Sequence, residues 1–250
     1  MEGHFRKHSP LKDVRFIIAV GSGKGGVGKT TISILLALAL SQEGYKVGVF
    51  DLDFYGPNAH LLFKDATLSP FKDTEGFKPA EYRGLKLMSL SFLVSEREPM
   101  FMRGPLAGKL LKELTLRVIW GPLDFLILDL PPGTGDIFLE MLQVFDPDGF
   151  LMVTTCHKLS LADSRRVLTI LKAEEIPILG VVENMFGLFQ DREVFTQFLK
   201  DNNLHLIFSF PFSQDIAQAE SVEVFLEDEA YGALLKDFVS SFLKRVFRIH

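Results

Sequence analysis

Seven apolar runs recur along the chain, and helical patterns separate most of them. The runs are Val14–Val20, Lys46–Asp51, Leu85–Leu90, Asp124–Leu130, Gly149–Thr155, Pro177–Asn184 and Leu204–Phe210. A helix is predicted after the first run, from about Thr30 to Gln42 and closed by Gly44, and helical patterns fall near Leu106–Val118, Ile137–Phe145, Ser160–Glu175 and Tyr231–Arg248. Strands that are apolar on both faces, separated by helices, predict a mostly parallel β-sheet with helices on both faces. There is no internal repeat and no low-complexity linker. One α/β domain over 1–250 is the economical reading, with an N-terminal arm at 1–13 and an amphipathic C-terminal helix at 229–250. The Pro-, Gly-, Lys- and Asp-rich stretch from Asp65 to Arg83 predicts an irregular insertion.

Composition narrows the class. The 250 residues are 47% hydrophobic and 24% charged, as in ordinary soluble proteins. A net charge of −5 argues against a chain built to bind nucleic acid, while leaving room for a local basic site. One cysteine, Cys156, excludes a disulfide framework and any multi-cysteine metal site within these residues. The first ten residues lack a long apolar stretch, so a cytoplasmic location is expected.

Candidate chemistry begins after the first run. Gly23-Lys24-Gly25-Gly26-Val27-Gly28-Lys29-Thr30 matches G-x-x-x-x-G-K-S/T and lies between a predicted strand and a predicted helix. Glycines there let several N–H groups converge on one anion, and the helix N-terminus adds positive potential. Lys29 should reach the β- and γ-phosphates, and the hydroxyl of Thr30, followed by Thr31, should bind Mg²⁺. Lys24 is a second lysine where such a loop needs one.

Two aspartate segments extend the site. Asp129 ends the run Asp124–Leu130, the position of a carboxylate that holds Mg²⁺, and the glycines of PPGTGD suit a loop sensitive to a γ-phosphate. Asp51 and Asp53 end another run and, two apart on extended backbone, could both face the metal and the attacking water. The alternative for Asp53 is a cap on the following segment.

Five segments occur together and in order: GKGGVGKT, DLDFYGPN, MFMRGP, WGPLDFLILDLPPGTGD and VVENM. In this the chain resembles the Mrp/MinD family of deviant-Walker ATPases from about Val14 to Ala219, most closely the Mrp branch. The resemblance implies ATP/ADP and Mg²⁺ as ligands and an ATP-dependent homodimer. It implies that Lys24 reaches the partner's phosphates, that Asp53 orients water, and that Asp51 and Asp129 serve the Mg²⁺ site. It also implies that Asn184 reads adenine and that Pro211 flanks the base. Left to the residues alone, Lys24 could be a solvated loop charge and Asn184 a strand-end cap.

One family feature is missing. Mrp-type iron–sulfur carriers place a C-P-x-C pair shortly after ENM; here those positions fall at Gln190 and Glu193. No iron–sulfur cluster is therefore expected, because such clusters need thiolates. The whole sequence instead resembles cysteine-free members, the archaeal HypB-type ATPases of NiFe-hydrogenase maturation. That resemblance implies a nickel metallochaperone working with a nickel-carrying HypA-type partner. An iron–sulfur carrier ATPase without the cysteine pair, a MinD-like membrane-associated positioning ATPase and a weakly hydrolysing adaptor are the alternatives. The basic, apolar-striped end FLKRVFR could lie on a membrane surface, but a last helix packed on the sheet is the preferred reading.

Overall fold

The structure is a computed structural model. It describes residues 11–53, 71–72, 76–89, 92, 112, 115–214, 221–222, 225 and 228–249, and the side chains at 71 and 72 are not among those described. Most of the expected arm, the segment MFMRGP and most of the helix near Leu106–Val118 lie outside these residues.

The expected parallel sheet is present. Its strands are β1 (Val14–Gly21), β2 (Val47–Asp51), β5 (Ala80–Tyr82), β6 (Leu85–Ser89), β7 (Leu123–Asp129), β8 (Gly149–Thr154), β9 (Ile178–Phe186) and β10 (Leu206–Pro211). Two short strands, β3 (Phe71–Lys72) and β4 (Phe77–Lys78), pair separately. The spatial order is β10-β9-β8-β1-β7-β2-β6-β5, parallel throughout except for the antiparallel edge pair β5–β6. β1, β2, β7 and β8 are almost wholly buried, which is why they read as unbroken apolar runs.

Helices cover both faces. α1 (Lys29–Gln42) and α5 (Glu229–Ile249) share one core with β-strand residues such as Val20, Val49 and Ile127. α2 (Asp136–Phe145), α3 (Lys158–Ala173) and α4 (Arg192–Asp201) share the other with Ile17, Phe50 and Leu128. α1 is buried almost all round and has no polar face to announce it. The apolar pattern does not predict α4. That helix contributes only Phe195 and Phe198 to the buried set, and its remaining positions are mostly polar.

The topology places the chemistry. In register, Asp129 lies beside Val20 on one flank and Asp51 on the other. Backbone bonds stitch the strand ends together: Leu130 N–H to Val20 O at 3.0 Å, Leu52 N–H to Asp129 O at 2.9 Å, and Gly133 N–H to Ser22 O at 2.9 Å. The glycine loop, both aspartate segments and PPGTGD thus meet at the carboxyl edge of the sheet, where open α/β sheets bind ligands.

Candidate nucleotide site

The loop between β1 and α1 is fixed from beneath. Ser22 Oγ donates to Lys24 O at 3.0 Å. A Cβ at Gly23 would stand 2.3 Å from the Asp163 carbonyl carbon and 2.4 Å from the Ser164 nitrogen, so α3 backbone closes on the loop there. Gly28 is constrained twice. Its φ is +82°, and a Cβ would stand 2.2 Å from Asn184 Nδ2. Asn184 Nδ2 donates to Val27 O at 2.9 Å, which ties β9 to the loop.

Asp129 is the hub. Its carboxylate is closed to solvent and accepts from Lys29 Nζ at 2.7 Å, Thr30 Oγ1 at 2.6 Å and Ser33 Oγ at 2.8 Å. Ser33 also donates to Lys29 O at 3.1 Å, one turn back along α1. A buried carboxylate with three donors, one of them charged, is well compensated. Asp51 is equally buried; it accepts from the Asp53 N–H at 3.1 Å and from Ser89 Oγ at 3.0 Å.

Two cavities open above this floor. One, of about 220 Å³, is lined by Ser22, Gly25, Gly26, Gly28, Lys29, Thr30, Thr31, Asp53 and Pro132. The other, of about 270 Å³, shares Gly28 and Thr31 and adds Asn184, Met185, Pro211, Phe212, Ser221 and Tyr231 among its lining. The first is glycine-rich with a lysine, suited to phosphates; the second is mostly apolar with a few polar groups, suited to a base.

The expected site residues are therefore brought together, at different depths. Gly25, Gly26, Gly28, Lys29, Thr30, Thr31 and Asp53 line the phosphate-sized cavity, and Asn184 and Pro211 line the apolar one. Asp51 and Asp129 lie beneath the floor and Val27 is buried, whereas Lys24 is exposed on the loop. Asp51 and Asp53 do not share one exposure: only Asp53 reaches the cavity. Ser33, Ser89, Phe212 and Tyr231 join the site without a motif to mark them. Ser33 could have been found by its spacing of four from Lys29, which puts both on one helix face.

Thiolate chemistry finds no support around Cys156. The residue is buried, and its Sγ donates to Phe189 O at 3.3 Å. Burial pushes the thiol above its ordinary range, and the negative charge of Glu183 adds to this. His157 caps α3 by accepting the Leu159 N–H at Nδ1, and its ring packs on Phe189. Among the described residues no group of three or more His, Cys, Asp and Glu could hold a metal ion.

A glycine-rich strand-to-helix loop above a buried Lys–Asp–Thr hub, at the carboxyl edge of a parallel sheet, defines a P-loop nucleotide-binding protein. The chain belongs to the ParA-type family described as NUBPL iron-transfer P-loop NTPases, which it matches over residues 13–240. It is 44% identical over 177 residues to an iron–sulfur cluster carrier protein of Pseudomonas fragi, covering 70% of this chain and 62% of the relative. A carrier of the same name from Aquifex aeolicus is 40% identical over 220 residues, covering 82% and 60%. The chain thus spans about three-fifths of the length of these relatives. Among solved structures it resembles a nucleotide-binding protein in complex with ADP from Archaeoglobus fulgidus, with TM-score 0.68, 30% identity, and 93% and 90% of the two chains covered. It shares its fold with the cell division ATPase MinD of Pyrococcus furiosus, with TM-score 0.70, 21% identity, and 92% and 99% covered.

These relatives correct one expectation. The lean toward nickel insertion, hydrogenase maturation and a HypA-type partner rested on the missing cysteine pair and on overall resemblance. Relatives at 40–44% identity are named iron–sulfur cluster carriers, so the nickel reading is withdrawn. No helix among the described residues is long and apolar enough to cross a membrane.

Proposed function

We propose that the chain is a slow, Mg²⁺-dependent ATPase that dimerises on ATP and serves iron–sulfur cluster assembly or carriage. The observation that carries the ATPase reading is the buried Asp129 carboxylate shared by Lys29 and Thr30 beneath a glycine-lined cavity. A phosphate entering that cavity offers Lys29 a second anion. The N–H groups of the loop from Gly23 to Thr31 cradle the phosphates, and the N-terminus of α1 adds positive potential. The residues fit Mg²⁺, a hard cation that takes oxygen ligands and retains waters: Thr30 by its hydroxyl, Asp129 and Asp51 through water. Mg²⁺ would supply charge neutralisation at the phosphates. Asp53, on the cavity wall, orients water toward the γ-phosphate, which leaves as phosphate while ADP remains. Asn184 and Pro211 hold adenine in the apolar cavity.

The cluster is cargo in this reading. The residues of this chain do not fit as its ligands: its single cysteine is buried, and Gln190 and Glu193 hold the C-P-x-C positions. Thiolates then come from another polypeptide segment or from the acceptor. The names of the relatives support the cargo; the site supports the motor.

Two experiments test the two halves. Lys29→Ala should abolish tight Mg·ATP binding in equilibrium dialysis, and GTP should bind far more weakly than ATP; equal affinity for the two would remove the adenine assignment. For the cargo, ATP should speed arrival of a cluster at a thiolate-bearing apo-acceptor during anaerobic reconstitution, and Asp53→Ala should remove that effect. Transfer indifferent to ATP would overturn the iron–sulfur role while leaving the ATPase intact.

A further inference from the structure

A basic cleft lies at the other end of the sheet, away from the nucleotide site. It has a volume of about 220 Å³ and is lined by His205, Ser241, Lys244, Arg245 and Arg248, along with the start of β10. β10 runs parallel to its neighbours, so its first residues mark the amino edge, whereas the phosphate loop marks the carboxyl edge. The two sites share no residue.

Three cations converge on this cleft in a chain whose net charge is −5. Among the described residues none of the three has a carboxylate within ion-pairing distance. Asp237 lies one turn before Ser241 on α5 and is not part of the lining. Cations near a helix C-terminus commonly offset the negative end of its dipole. Here they exceed that partial charge, and Lys244 and Arg248 form an unfavourable like-charge pair at i, i+4. Arg245 is anchored: its Nε donates to Leu179 O at 2.9 Å, which fixes the guanidinium plane and leaves its terminal nitrogens as donors. Ser241 adds a hydroxyl and His205 an imidazole.

We propose that this cleft binds a small oxyanion, a phosphate or carboxylate group of a low-molecular-weight ligand. A fixed guanidinium offers paired N–H donors matched to such a group, and the neighbouring ammonium and guanidinium supply charge-assisted bonds. An oxyanion also relieves the repulsion among the three cations. The volume is sufficient for phosphate or a small tricarboxylate. Leu235, Phe238, Val239, Phe242 and Val246 of α5 are buried in the core, while Phe247 and Ile249 stay exposed but do not line the cleft. Within the α5 side of the lining, the charged groups are therefore the main recognition element.

The test is calorimetric titration of protein saturated with Mg·ADP, so that the phosphate loop is filled. Inorganic phosphate and tricarballylate are the two probes, and whichever binds identifies the group. The expected result is saturable one-site binding that weakens at least tenfold in the double variant Lys244→Ala/Arg248→Ala and is unchanged in Lys200→Ala. Lys244 and Arg248 are exposed, so the double variant should keep the circular dichroism spectrum of the parent. Binding of neither probe overturns the proposal, as does binding that the double variant leaves intact. Binding of polyglutamate with no response to either small anion overturns it in favour of a protein partner.

Discussion

Asp129 accepts hydrogen bonds from Lys29, Thr30 and Ser33 while closed to solvent, so its charge is balanced by protein groups rather than by water. Removing it strands a buried ammonium. Asp129→Ala should lower stability by about 3–5 kcal/mol, the cost of breaking a buried pair from one side, measured by urea unfolding. Cys156 gives a pH prediction. Burial first, and then Glu183, raise its pKa, so its thiolate is scarcer at any given pH than that of an ordinary cysteine. Iodoacetamide should label the native chain far more slowly than the urea-unfolded chain near pH 8, and the native rate should climb only at strongly alkaline pH. Rapid native labelling at neutral pH would contradict the buried, protonated thiol. The residues of the phosphate loop were legible because G-x-x-x-x-G-K-S/T encodes a conformation and a charge together. Ser89 was not, because a serine in an apolar run carries no sign of the carboxylate it will meet on the neighbouring strand, whereas Ser33 was legible only through its spacing of four from Lys29.

Strands were the most legible elements. β1, β2, β7 and β8 are buried on both faces, and a continuous apolar run of strand length, in a chain alternating with helices, points to a covered parallel sheet. β3, β4 and β5 span two or three residues each and leave no periodic trace. α4 was lost for a related reason: two buried phenylalanines in a ten-residue polar stretch do not make a recognisable stripe. The C-terminal helix shows the opposite case. Its stripe was legible, but a stripe states only that something covers it. Here Phe238 and Phe242 pack into the core that α5 shares with α1 and the sheet, with Phe242 against Phe125 at 6.2 Å between centroids. Phe242→Ala should therefore cost about 3–5 kcal/mol, read as a lower urea midpoint with little change in slope.

At the scale of the whole molecule, the two lysines of the phosphate loop stand in different surroundings. Lys29 turns inward to Asp129, while Lys24 stands exposed on the same loop, next to the cavity-lining Gly25. The charge of Lys24 can thus act on a second molecule without rearranging the first. In phosphoryl transfer an extra cation delivered across an interface is worth roughly 10³–10⁵ in rate where an arginine supplies it. A lysine reaching the phosphates of a second copy would make hydrolysis depend on assembly. The two defects should then separate. On the proposed function, in which Lys29 is the binding lysine, Lys24→Ala should keep Mg·ATP affinity within about threefold, yet lose most turnover and the ATP-dependent dimer. Asp53→Ala should keep the dimer and lose turnover, because water activation fails while the phosphate contacts persist. Sedimentation velocity with a slowly hydrolysed ATP analogue, run beside phosphate-release assays, distinguishes the two. A Lys24→Ala chain that still dimerises and turns over like the parent would reduce Lys24 to a solvated loop charge.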